Sequence, residues 1–283
     1  MDHNFFANDP GPVCVQSELT STAAEENGPP EPMSLQHAQM SIVLSALWPG
    51  ARFGLGDDLP NLGAEPERLA LVTNPDLLQM VKLGHSARPL DLMSFQPEDE
   101  QPSIFLLRES TRQSMAAVFN WTKQKRSHVL SLAELGLASG HNYGLHNVLD
   151  QSRSITLEND AIHLDNQAGE SVILVKIVDE TLPPAAPTIR TEAPARAKVL
   201  EDARFSVQTT DDSVPALAYK WDFGDGVTAE EPVQNHTYTK SGIYTIRLTI
   251  DGLDGVPVER NFQIIVDGVM ESAPPHPRDY YAD

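Results

Sequence analysis

The sequence predicts a mixed architecture: an α/β segment over 1–86, then two all-β sandwiches over 87–180 and 195–268. Three observations carry this. First, Tyr219, Trp221 and Phe223 alternate with Lys220 and Asp222, and Tyr244, Ile246, Leu248 and Ile250 alternate with Thr245, Arg247 and Thr249. Alternation sends successive side chains to opposite sheet faces, so these runs are half-buried strands. Second, short apolar runs separated by turn residues recur between 103 and 178, the spacing of an antiparallel sandwich. Third, residues 1–86 mix strand-like pieces with helical periodicity and prolines at helix starts.

Within 1–86, residues 5–15 read as a strand-like piece around Asn8-Asp9-Pro10, and 17–32 as an acidic, proline-rich loop. Residues 33–48 have a helical pattern. Ser34 can cap, Leu35, Met40, Val43, Leu44 and Leu47 form an apolar stripe, and Pro49-Gly50 ends it. Residues 52–59 read as a short buried strand ending at Asp57-Asp58-Leu59. A helix over 65–72 with Pro66 in its first turn follows, then another opening at Asn74-Pro75. This is the order of a parallel α/β unit. A closed (β/α)₈ barrel, however, takes about 250 residues. A lone unit leaves sheet edges and helix faces uncovered, so 1–86 is expected to be a fragment or to need a partner. It is also expected to open most easily.

The first sandwich is read from 103–108, 115–121, 128–132, 143–149, 154–157, 161–164 and 171–178, with Val172, Leu174 and Ile177 as core. Residues 181–194 are rich in Pro and Ala and read as a semi-rigid spacer. In the second sandwich Gly224-Asp225-Gly226 is turn chemistry, since Gly tolerates positive φ and Asp bonds its own backbone. Residues 269–283 read as a disordered tail.

Composition excludes several function classes. Twenty Lys and Arg face forty Asp and Glu, a net charge of −20. A phosphate-binding surface must be basic, so nucleic acid is not an expected partner, nor is an anionic membrane surface. The apolar stretch 42–59 is interrupted by Pro49, Gly50, Arg52 and Gly54, so no membrane insertion is expected. The N-terminus shows no basic region followed by an apolar run, so no signal peptide is read. With Cys14 alone, no intrachain disulfide is possible. His141 and His146 lack the spacing and companions of a metal site, and neither metal nor cofactor is expected. Asn120-Trp-Thr and Asn235-His-Thr are glycosylation sequons. Trp121 offers a face on which a sugar can stack; the alternative is a core or interface tryptophan. Oligomeric state is not legible.

The run Trp221-Asp-Phe-Gly-Asp-Gly226, then His236-Thr-Tyr238, then Gly242-Ile-Tyr-Thr-Ile-Arg-Leu248 resembles the polycystic-kidney-disease (PKD) domain signature, with Ile246 where the family has Val. The resemblance implies an immunoglobulin-like sandwich, mostly extracellular, that spaces modules or contacts partners and is not catalytic.

A second resemblance runs in order along 1–180. Its pieces are Asn8-Asp9-Pro10, the run 46–59, the run 69–78, Ala117-Val-Phe-Asn120, Leu132-Ala-Glu-Leu-Gly-Leu137, Tyr143-Gly-Leu-His-Asn-Val-Leu149 and Ser171-Val-Ile-Leu-Val-Lys-Ile177. Together they look like the end of the barrel, and the C-terminal sandwich, of α-galactosidase (melibiase) enzymes of glycoside hydrolase families 27 and 36. The fold class so implied is a partial (β/α) barrel end, a melibiase-type sandwich and an Ig-like PKD domain. The family pattern departs at Gly11, where the family has a substrate-binding Asp. Retaining glycosidases need two carboxyl groups about 5–5.5 Å apart, and the strands that would carry them precede Met1. No catalytic residue is therefore assigned. Asp9 and Asp58, at strand ends where barrel active sites lie, are the candidate substrate contacts; loop capping is their alternative role. The resemblance implies a carbohydrate partner and an extracellular or periplasmic location. It leaves three readings: an N-terminally truncated, inactive glycosidase, a non-catalytic carbohydrate- or protein-binding module, or a stray gene fragment with no function of its own.

Overall fold

The computed structural model describes residues 15, 33–48, 62–95, 97–99, 101–210 and 214–268. The chain divides into two compact units, Met1–Pro184 and Ala185–Asp283.

In the first unit, the described helices are α1 (Leu35–Ala46), α2 (Pro66–Val72) and α3 (Pro75–Leu83). Each start is encoded locally. Ser34 caps α1, its hydroxyl accepting from the His37 amide at 3.1 Å. Pro66 opens α2, where its missing N–H is no loss. Asn74 caps α3 by accepting from the Asp76 and Leu77 amides, and Gly84 ends it in the left-handed conformation. Arg68 is buried and ties α2 to the rest: its guanidinium donates to the Val15 and Met33 carbonyls and pairs with Glu65 at 2.8 Å.

Strands β1 (Arg88–Pro89), β2 (Ile104–Arg108), β3 (Gln113–Asn120), β4 (Arg126–Ser131), β5 (Tyr143–Asn147), β6 (Thr156–Glu158), β7 (Ala161–Gln167) and β8 (Ser171–Asp179) follow. They form an antiparallel sheet in the order β1-β2-β3-β8-β5 and a second in the order β4-β7-β6. Phe105, Leu107, Met115, Ala117, Phe119, Val172 and Leu174 face the helices and share one core with Ala38, Ile42, Val43, Leu77 and Met80. Their strand neighbours Leu106, Ala116, Val118, Ile173, Val175 and Ile177 face the second sheet and pack with Leu130, Ile162 and Leu164. The first sheet is thus covered on both sides, and every residue of β3 is buried.

This arrangement corrects the reading of 1–86. Among the described residues the segment contributes helices and no strand, and a partial (β/α) barrel is not evident. The two strands read for it, over 5–15 and 52–59, lie outside the described residues. The helix faces expected to be bare are covered by the sandwich, which weakens the ground for calling 1–86 the easiest part to open.

The second unit holds β9 (Ile189–Glu192), β10 (Arg196–Lys198), β11 (Asp202–Thr209), β12 (Ala216–Asp222), β13 (Thr228–Ala229), β14 (Val233–Thr237), β15 (Gly242–Gly252) and β16 (Val258–Asp267). Two sheets, β10-β16-β15-β12-β13 and β14-β11-β9, enclose a core built on Phe205, Trp221, Phe223, Tyr238, Ile246, Leu248 and Ile250. The segment read as a spacer supplies β9, which pairs with β11 from Glu192 opposite Ser206 to Ile189 opposite Thr209. Alternating Ile189 and Thr191 outweighed the Pro/Ala composition around them.

Candidate functional site

The signature turn of the second unit is held by its own polar groups. Asp222 accepts from the Gly224 amide at 2.9 Å, and Asp225 accepts from the Val227 amide at 3.1 Å. Gly224 has φ +79°, and a Cβ there would sit 2.5 Å from the Thr245 carbonyl oxygen, so glycine is required. The other Asp225 oxygen meets His236 Nε2 at 2.8 Å. The His236 ring stacks on Phe223 at 4.1 Å. Tyr238 donates its buried hydroxyl to the Phe223 carbonyl, and Trp221 Nε1 donates to the Glu231 carbonyl. These bonds tie the turn to β14 and to the segments flanking it, so the cluster fixes the shape of the loop.

The first unit carries an open cleft of about 1130 Å³. It lies between β1 and β4, edge strands of the two sheets, and Leu90, Ile104 and Leu130 lie on its walls. Its carboxylates are largely committed. Asp91 accepts from the Ser103 and Ile104 amides at 2.8 and 3.1 Å. Asp99, on the short 3₁₀ turn Pro97–Asp99, is buried and bridged by Arg126 at 2.7 Å. Glu134 accepts from the Ser131 amide and hydroxyl. Glu98 is exposed and has no such commitment among the described contacts. Arg88, Lys123 and Lys125 line the cleft, are exposed, and have no ion-pair partner among the described residues. His128 is held below the usual histidine range, first by burial and then by Arg126.

The turn bearing Lys123 and Lys125 is pinned from below. Asn120 is fully buried; its amide donates to the Gln124 and Ala168 carbonyls at 2.7 and 2.9 Å. Its oxygen accepts from the Thr122 amide and hydroxyl. A Cβ on Gly169 would lie 2.3 Å from the Lys123 backbone, so the two turns touch through a position that only glycine fits.

Asp9 and Asp58 lie outside the described residues, as does Asp57. The Asn120 sequon is consumed by the fold, whereas Asn235 is exposed. Trp121 is half-buried: its ring stacks on Phe119 at 4.6 Å and its Nε1 donates to the Pro102 carbonyl. Part of the ring is therefore committed to packing. His141 pairs with Asp179 at 2.7 Å, and the described residues contain no group of three or more potential metal ligands. The cleft was missed in the sequence. The signal that points to it is Lys123-Gln-Lys-Arg126, a basic run in a chain with twice as many acids as bases.

Residues 184–266 match the family model of the PKD domain. These residues are a PKD domain. A collagenase of Clostridium perfringens, ColA, is 33% identical over 76 residues, which cover 26% of this chain and 7% of the collagenase. The matched stretches span 7% to 13% of the collagenases to which the chain is similar. The PKD1 domain of the Vibrio cholerae metalloprotease PrtV is 30% identical; the match covers 29% of this chain and 99% of that domain, with a TM-score of 0.26. The structure of α-galactosidase I from Mortierella vinacea is 14% identical over 53% of this chain and 37% of that one, with a TM-score of 0.42.

Proposed function

We propose that this chain is the non-catalytic end of a glycoside hydrolase of α-galactosidase type, with a PKD domain appended. The observation that carries the reading is the shared core of α1–α3 and the sheet β1-β2-β3-β8-β5. In the resembled family the C-terminal sandwich packs on the end of the barrel, and here a helical layer covers one face of such a sandwich. Four of the melibiase-like pieces fall, in order, on elements of it: 69–78 runs from α2 into α3, 117–120 ends β3, 143–149 contains β5 and 171–177 lies in β8. In this reading the helices and sandwich buttress a catalytic barrel, and the PKD domain spaces the enzyme or contacts its polymer outside the cell or in the periplasm. Asp9 and Asp58 are then substrate-side carboxylates that act only alongside strands carrying the catalytic pair.

The second reading is a free-standing extracellular carbohydrate- or protein-binding module. The open cleft and the PKD domain support it, because neither needs a catalytic barrel.

The purified chain should give no hydrolysis of an aryl α-galactoside. Turnover that disappears in Asp9→Ala or Asp58→Ala would overturn the non-catalytic assignment. Retention on galactan or galactomannan without turnover is the outcome the second reading expects.

A further inference from the structure

We propose that His128 is an acid-operated latch on the open cleft of the first unit: while its ring is neutral, residues 126–128 of β4 stay closed on the cleft, and uptake of a proton by the ring frees them. The proposal is independent of the α-galactosidase reading.

Arg126, His128 and Leu130 alternate along β4 with Ser127 and the exposed Val129, so they share its inner face. Leu130 is buried in the core between the two sheets. His128 follows it toward the cleft, half-buried, and its Nε2 is enclosed with no hydrogen-bond partner among the described residues. A neutral imidazole keeps one nitrogen as a bare acceptor. A protonated one carries a charge and an N–H on both nitrogens, and enclosing these without an acceptor is far more costly.

The charged surroundings do not remove that cost. Arg126, on the same strand face, opposes a second positive charge, whereas Asp99 and Asp91 favour one. Both carboxylates are already engaged. Asp99 accepts from Arg126 Nη1 at 2.7 and 2.8 Å, and Asp91 holds the Ser103 and Ile104 amides. On β7, Leu164 stands opposite His128, and His163 stands opposite the outward Val129; Asp165 is exposed. The other charges of the cleft, Arg88, Glu98, Lys123, Lys125 and Glu134, are exposed, where solvent and salt screen them. Burial first, and Arg126 second, therefore hold the ring below the usual histidine range.

The strand is built to yield at this point. It is an edge strand, in the order β4-β7-β6, with no neighbour on its other side. Its register with β7 slips between Arg126 and His128, an irregularity that interrupts the ladder, while Leu130 anchors the strand beyond it. Turning 126–128 outward hydrates the charged ring and gives up the Arg126–Asp99 bridge. The closed form binds the proton more weakly than the open one, so protons favour opening. The latch is fully closed above the usual histidine value, and closure is lost as pH falls through the lowered one.

Amide hydrogen exchange of the full chain, corrected for the pH dependence of the chemical exchange rate, tests this together with an NMR titration of the histidine rings. The His128 ring should titrate below the usual histidine range. The amides of 126–128 should lose protection with the same midpoint, while those of β3 and β8 keep theirs. His128→Leu, which takes up no proton, should keep 126–128 protected throughout. An ordinary His128 midpoint, protection that does not change across the titration, an equal loss in His128→Leu, or a loss shared by β3 and β8 would overturn the proposal. The ring titration and the exchange of the native chain decide the question without the variant, should His128→Leu fail to fold.

Discussion

Tyr238 and Glu109 show how single residues set the stability of the two units. Tyr238 is fully buried in the PKD domain, and its hydroxyl satisfies the Phe223 carbonyl at 3.1 Å. Tyr238→Phe leaves that carbonyl without its partner, so the domain should lose about 1–3 kcal/mol in urea unfolding followed by Trp221 fluorescence. Glu109 is buried at the junction of α3 and β2, accepting from Gln113 at 2.6 Å and from Gln79 at 3.4 Å. Burial raises its carboxyl above the usual carboxylate value, and the two glutamine contacts offset this only in part. An acid with a raised folded pKa favours folding while protonated. The first unit should therefore lose stability as pH rises from the ordinary carboxylate value through the raised one, then level off. Denaturation midpoints across that window should fall for the native chain, and Glu109→Gln should remove this component of the slope.

The sharing of one core by α1, α3 and the sheet makes a prediction about elements. Ala38, Ile42 and Met80 pack on Phe105, Met115 and Phe119, and Lys176 of β8 pairs with Asp76 of α3 at 2.7 Å. Hydrogen exchange should show the amides of α1 and α3 protected together with those of β3 and β8, in one cooperative group. Helices exchanging freely beside a protected sheet would contradict this. Much of the element layer was legible in the sequence. Ser34, Pro66 and Asn74-Pro75 marked the helix starts, because capping is a local code. In the first sandwich β2 to β8 were legible from short apolar runs and turn residues, whereas in the second alternation marked only β12 and β15. What was not legible depended on long-range packing. The stripe read on α1 centred on Val43 and Leu44, whereas the buried line runs through Ala38, Ile42, Val43, Ala46 and Leu47. Small alanines face the sheet there, and their fit is set by the sheet itself. Strand β9 was hidden by its Pro- and Ala-rich surroundings. The cleft was hidden because its cations come from β1, from the 121–125 turn and from β4, which only the fold brings together.

At the scale of the molecule, two compact units each have a core of their own, and the chemistry-bearing features divide between them. The PKD signature cluster is a turn held by hydrogen bonds to β14 and its flanks. The open cleft belongs to the first unit. No described helix is long and apolar enough to cross a membrane. The central claim, that the helical layer and first sandwich belong to a longer glycosidase, is tested most directly by reading the genomic sequence upstream of the Met1 codon. The account predicts an open frame that continues upstream and encodes barrel strands bearing two carboxylates placed to flank a glycosidic bond. In-frame stops immediately upstream would contradict it.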